Sequence, residues 1–300
     1  MNPLHIKKIL MPVDFSANSL KGLDHAILMA KLSNAAIYLI HMSELTVGYL
    51  GRDELFSTSM HMLIEFEKEM MVSDRKKLLR LSEKIRNAGV DEAEIIVVAG
   101  KVHKEIVKAA DEIHADIIVM GTHGVSGFRE VIMGSNTFRV VHDAHCPVLS
   151  IQNHTKNAGF ENILVPLRDK PHSREKVTYA IQLAKMYGAT LHIYGVNTEE
   201  DDSSLRKLHL EAEQIKKIAE EHNVECHLTI VTEAYAADSV LSYAKKINAD
   251  LVVTMSGMDR TSIAEIFMGP FVHQIINHSP IPVFSVRPTF NTDTFDLRFY

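Results

Sequence analysis

The sequence has only two cysteines in 300 residues, Cys146 and Cys226. That is too few for a disulfide framework and favours a reducing compartment. No apolar run approaches the length of a membrane span. The opening stretch "MNPLHIKKILMPVDFS" lacks the apolar core and cleavage site of a secretory signal and runs straight into a strand pattern, so a cytoplasmic location is expected. There is no basic surplus either. The 32 Lys and Arg are scattered and outnumbered by 38 Asp and Glu, which leaves a net charge of −6 and no footprint for nucleic acid. The phosphate-loop pattern GxxxxGK[ST] is absent, as is GxGxxG after a first strand, and no Ser-His-Asp order or paired carboxylate set emerges. What is present is a chain 46% hydrophobic and 23% charged, able to bury sizeable cores.

That chain repeats itself. "KKILMPVDFS" and "ENILVPLRDK" each read as a short apolar strand that reaches Pro and turns polar; Pro12 matches Pro166 at a displacement of 154. Later, "HADIIVMGTHG" matches "NADLVVTMSGM", "IMGSNTFRVVHDAHCPVLSI" matches "FMGPFVHQIINHSPIPVFSV", and the displacement from Gly134 to Gly269 is 135. The first half therefore carries about nineteen extra residues between its second and third strands. At this long period, self-similarity means two copies of one domain rather than a solenoid. The expected domains are 1–152 and 161–300, with the polar stretch "NHTKNAGF" (153–160) as linker.

Each copy alternates strand and helix. In the first, strands are expected near 7–13, 36–42, 94–99, 116–120 and 147–151, with helices at about 18–33, 60–88, 102–113 and 135–144. Runs such as "DIIVM" are apolar without alternation, as in parallel strands covered on both faces. The predicted fold is α/β: two tandem, doubly wound, five-stranded parallel sheets of Rossmann-like type. The strands "CPVLSI" and "IPVFSV" that end the two copies present exposed apolar edges. They are predicted to meet antiparallel about an internal pseudo-twofold axis.

In such sheets, ligands bind beyond the carboxyl ends of the strands, where strand order reverses. Gly121 and Gly124 follow the fourth strand at once, and after nine more residues Gly134 and Ser135 begin a helix, with Ser135 expected as its N-cap. A helix N-terminus offers free backbone N–H groups and partial positive charge. Glycines let the backbone approach a ligand with no Cβ in the way. The stretch reads as a phosphate cradle, although glycines after a strand also serve simply as turn formers.

The spacing G-x2-G-x9-G-S, preceded by "DIIVMG" and followed by "HCPVLSI", resembles that of the universal stress protein family, in its ATP-binding subgroup. "ILMPVDFS" and "YLIHM" are similar to that family's first two strands. The resemblance covers essentially the whole chain as two copies and implies an adenine nucleotide α-hydrolase-like fold. It implies that Asp14 contacts the ribose or adenine, that Pro12, Val13 and Met42 line the adenine pocket, and that Met120 and Gly121 border the ribose. His123, Gly124, Gly134, Ser135 and Asn136 would hold the phosphates of ATP, accompanied by Mg or Mn held through the phosphates and not by a protein metal site. Asp14 could equally cap the next helix. The expected function is an ATP-binding stress-response regulator, at most a weak ATPase, with a slow ATP-hydrolysing enzyme and a nucleotide-independent scaffold as alternatives. The implied partners are the nucleotide, the internal pair of domains and a further homodimer.

The second copy departs from this pattern. Arg168 stands where Asp14 stands, and Pro270 replaces Ser135. The counterpart of Gly121 is Met255 when aligned from the preceding strand and Ser256 when aligned from Gly269. One ATP per chain is therefore expected, in the first copy. Elsewhere, "HDAHC" (142–146) lacks zinc-site spacing, so capping or surface histidines are expected. The methionine-rich stretch 45–71 is expected to be core or dimer contact. "EEDDSS" (199–204) is expected to be a solvated loop, and the C-terminal "PTFNTDTFDLRFY" an edge strand or a frayed tail.

Overall fold

A computed structural model describes residues 5–43, 58–122, 134–152, 155, 157–169, 174–198, 201–256 and 270–287. The first copy runs β1 (Lys8–Pro12), α1 (Ala17–Ser33), β2 (Ala36–Ser43), α2 (Thr58–Asn87), β3 (Ala93–Ala99), α3 (Val102–Ile113), β4 (Ile117–Gly121), α4 (Ser135–Asp143) and β5 (Val148–Ile151). The second runs β6 (Asn162–Leu167), α5 (Glu175–Tyr187), β7 (Thr190–Asn197), α6 (Asp202–Glu221), β8 (Cys226–Thr232), α7 (Ala236–Lys246), β9 (Leu251–Met255), α8 (Pro270–His278) and β10 (Val283–Val286). The expected elements of the first copy are all present, with ends within about two residues of those read from the sequence. The protein is α/β, with two tandem doubly wound units.

Within each unit the strands pair in parallel, in the orders β3-β2-β1-β4-β5 and β8-β7-β6-β9-β10. The two units join where β5 and β10 pair antiparallel, Leu149 opposite Phe284, giving one continuous ten-stranded sheet. Leu149 and Phe284 are fully buried, and Ser150 Oγ donates to the Val283 carbonyl across the seam at 3.1 Å. The exposed edges anticipated for two separate sheets are thus consumed by each other.

Strand alternation sends side chains to two layers. On one face, Ile9, Met11 and Val13 of β1 and its exit pack with Ile37 and Leu39 of β2 beneath α1 and α2, in a core that continues across the seam to α5 and α6. On the other, Leu10, Ile40, Ile118 and Met120 pack beneath α3 and α4. Asp201 N-caps α6 by accepting from the Ser203 and Ser204 amides, so 201–204 form a helix start and not the solvated loop expected there. Among the described residues no helix is long and apolar enough to cross a membrane. The C-terminal stretch from 288 lies outside the described residues, as do 45–57.

Candidate functional site

Strand order reverses between β1 and β4. From β1 the chain winds outward through β2 and β3; from β4 it winds the other way to β5. The crevice beyond their carboxyl ends is bounded by the turn after β1, by the end of β4 and by the start of α4. Two cavities of about 560 and 580 Å³ lie elsewhere, one beside the start of β1 at Lys7 and Asn34, the other at the seam near Phe160 and Tyr187.

The β1 turn is tightly specified. Asp14 Oδ1 accepts from the Ser16 amide at 3.0 Å, so Asp14 does act locally as a turn former. Ser16 in turn N-caps α1, its Oγ accepting from the Ser19 amide at 3.2 Å. Between them Phe15 takes φ of 61°, a left-handed conformation costly for a bulky residue. Val13 donates its N–H to the Ile40 carbonyl at 2.8 Å, and its own carbonyl lies 2.7 Å from His41 Nδ1.

Pro12 is buried at the end of β1, opposite Ile40. Met42 and Met120 share the apolar cluster beneath α3 and α4. Val13 does not join them: its side chain is buried in the opposite layer, beneath α1 and α2. What Val13 offers the turn is its main chain.

At the other wall, the two ends of the 122–134 segment are tied together. The Gly134 amide donates to the Thr122 carbonyl at 2.8 Å, and Thr137 Oγ1 donates to the Gly121 carbonyl at 3.1 Å. Two expectations change here. Gly134, not Ser135, is the N-cap of α4, so Ser135 is the first helical residue and its hydroxyl is not committed to capping. The Gly134 amide is used within the protein, which leaves phosphate contact to the residues that follow. The first backbone bond of α4 is Phe138 N–H to the Gly134 carbonyl, so the amides of Ser135 and Asn136 precede the helical ladder, and both residues are exposed. Their side is the positive end of the helix dipole. His123 and Gly124 lie outside the described residues.

Gly121 has a packing reason to be glycine. A Cβ there would meet the Asn18 side-chain nitrogen at 2.8 Å and the Asn18 backbone carbon at 3.1 Å, because α1 crosses close over β4. In the second copy, Ile163 pairs with Leu251 as Ile9 pairs with Ile117. That register sets Met255, fully buried, in the place of Gly121. Arg168 leaves β6 to lie over the Phe271 ring of α8, 4.7 Å from its centroid.

Four residues not singled out in the sequence complete the β1 turn. His41 Nε2 lies 3.2 Å from Asp74 Oδ2, and Asp74 Oδ1 accepts from Lys77 at 2.9 Å; His41 belongs to β2, Asp74 and Lys77 to α2. The Phe15 ring packs 4.7 Å from the His41 ring, with Lys77 Nζ 5.0 Å from its centroid. His41 was visible only as a lone polar residue inside "YLIHM", and Asp74 as one acid among many on an amphipathic helix. The "HDAHC" histidines pair with acids: His142 with Asp143 and His145 with Asp111. No group of metal-ligating residues occurs among the described residues.

The model of the universal stress protein family matches residues 5–152 and again 159–287. Universal stress protein MJ0531 of Methanocaldococcus jannaschii is 34% identical over 157 residues, half of this chain and 84% of its own length. Universal stress protein YxiE of Bacillus subtilis is 31% identical over 154 residues, 48% of this chain and 98% of its own. Among solved structures, a universal stress protein from Archaeoglobus fulgidus superposes over 95% of this chain and 97% of its own with a TM-score of 0.72 at 24% identity, a likeness of fold. Both halves of the chain match one family model across the fold described above, and the chain belongs to the universal stress protein family.

Proposed function

We propose that the protein is a cytoplasmic stress-response regulator that binds one ATP per chain in its N-terminal repeat. The observation that carries this reading is the start of α4. The exposed Ser135 and Asn136 present unladdered amides and a free-standing hydroxyl beyond β4, on the helix end that attracts phosphate. The donor set suits a polyphosphate: neutral N–H and O–H donors on a positive helix end, with no carboxylate in that first turn. Asp14 supplies an acceptor on the opposite wall for ribose or adenine, and the Met42–Met120 cluster supplies apolar surface for a planar base. Any divalent cation would be held through the phosphates.

The second repeat lacks this set. It has Met255 for Gly121, Arg168 for Asp14 and Pro270, which has no N–H, for Ser135. Isothermal titration of the full chain with Mg-ATP tests the reading. One site is expected per chain, lost in Asp14→Ala combined with Gly134→Val and retained in Arg168→Ala. Absence of binding by the unaltered protein would overturn it.

A further inference from the structure

The turn that carries Asp14 is strained, and the groups that hold it belong to another part of the fold. Phe15 occupies a left-handed conformation that a bulky side chain adopts only when its surroundings over-determine it. One local bond contributes, Ser16 N–H to Asp14 Oδ1, and one bond ties the turn to the β2 main chain, Val13 N–H to the Ile40 carbonyl. The rest of the support comes from β2 and α2. His41 Nδ1 reaches the Val13 carbonyl at 2.7 Å, and the His41 ring backs the Phe15 ring at 4.7 Å. Behind His41 stands Asp74, 5% exposed, bonded to His41 Nε2 on one oxygen and to Lys77 on the other. Lys77 returns to the turn, its ammonium 5.0 Å from the centre of the Phe15 ring.

The direction of the chain of contacts matters. A buried carboxylate is costly unless paired, so Asp74 holds its two partners in place. Carbonyl and carboxylate are both acceptors, so the ring bonds both at once only with a proton on each nitrogen; the Asp74 contact fixes the ring plane and aims Nδ1 at one carbonyl, that of Val13. This is the relation of an orienting carboxylate to a histidine, here directed at a backbone carbonyl one residue before Asp14. We propose that His41 and Asp74 are positioning residues for the nucleotide turn. Through them α2 sets the conformation in which Asp14 is presented, so that displacement of α2 would lower nucleotide affinity without any contact between α2 and ligand. The inference rests on nucleotide binding in the N-terminal repeat.

The test uses the full chain and two readouts. His41→Leu removes both ring nitrogens. His41→Asn keeps an N–H near the position of Nδ1 and loses the link to Asp74. The expected result is an ATP affinity about tenfold or more weaker in His41→Leu, the scale of one lost hydrogen bond with a charged partner in its chain, and only partly restored in His41→Asn, which lacks the link to α2. Asp74→Asn is expected to weaken binding less than His41→Leu. Amide hydrogen exchange without nucleotide is the second readout: Asp14, Phe15 and Ser16 should exchange faster in His41→Leu and in Asp74→Asn, and at an intermediate rate in His41→Asn, while β3 and β4 stay protected in all three. A His41→Leu protein that folds, binds ATP as the unaltered chain does and protects the turn equally would overturn the proposal. If the unaltered chain binds no ATP, the function proposed above fails, and the exchange of residues 14–16 in Asp74→Asn against the unaltered chain decides whether α2 sets the turn.

Discussion

Gly22 of α1 and Gly121 of β4 touch across the helix–sheet interface: a Cβ on Gly22 would stand 3.5 Å from the Gly121 amide nitrogen. The second repeat, at matching positions, has Lys176 and Met255, which are 2% and 0% exposed. Two glycines bring α1 close over β4, whereas the corresponding positions of α5 and β9 carry two long, buried side chains. The first repeat's glycine is therefore demanded by its own helix, whatever the ligand. Gly121→Ala should destabilise the nucleotide-free protein by about 1–3 kcal/mol, because Asn18 must move its backbone as well as its side chain. Urea unfolding without ATP measures this, and an unchanged midpoint would contradict it.

Gly134 makes the opposite case. Its φ of −59° and ψ of 144° are open to any residue, so Gly134→Val should fold normally while keeping the amide bond to Thr122. A branched side chain at the mouth of α4 should nonetheless cut ATP affinity by about tenfold or more, a loss of roughly 1.4 kcal/mol or greater. Ser135→Ala should cost about 1–2 kcal/mol of binding for a hydrogen bond to a charged group. Titration calorimetry alongside thermal unfolding separates binding loss from misfolding.

His25 gives a pH signature unrelated to ligand. It is 2% exposed, stacks on Phe160 with ring centroids 5.4 Å apart, and burial lowers its pKa from 6.5 to about 4. The unfolded chain takes up this proton near 6.5 and the folded one only near 4. Stability from neutral His25 is therefore complete above 6.5 and is lost as pH falls toward 4, by about 3 kcal/mol in all. His25→Leu should flatten that part of the stability–pH curve; the same slope in both proteins would refute the assignment.

The two thiols should be inert in the folded state. Burial pushes Cys146 and Cys226 up to about 12, so little thiolate exists at pH 8. Alkylation by iodoacetamide should be roughly a thousandfold slower than for a free cysteine and should accelerate on unfolding. Fast modification of the native protein at either position would show the burial to be transient.

The alternation of apolar strands and amphipathic helices, the two-copy organisation and the meeting of β5 with β10 were all legible in the sequence. So was the glycine–serine spacing beyond β4. Each of these is carried by local periodicity or by like matching like at a long displacement, patterns that can be read before the chain is folded. Tertiary structure decided what depends on residues far apart in the chain. Asn18 lies against Gly121, Asp74 orients His41, and the Thr122 carbonyl claims the Gly134 amide that the motif had reserved for phosphate. Strand register, not spacing, chose Met255 over Ser256 as the counterpart of Gly121. No period in a sequence reports such pairs, because hydrogen bonds and close packing are made by whichever groups the fold brings within about 3 Å of one another.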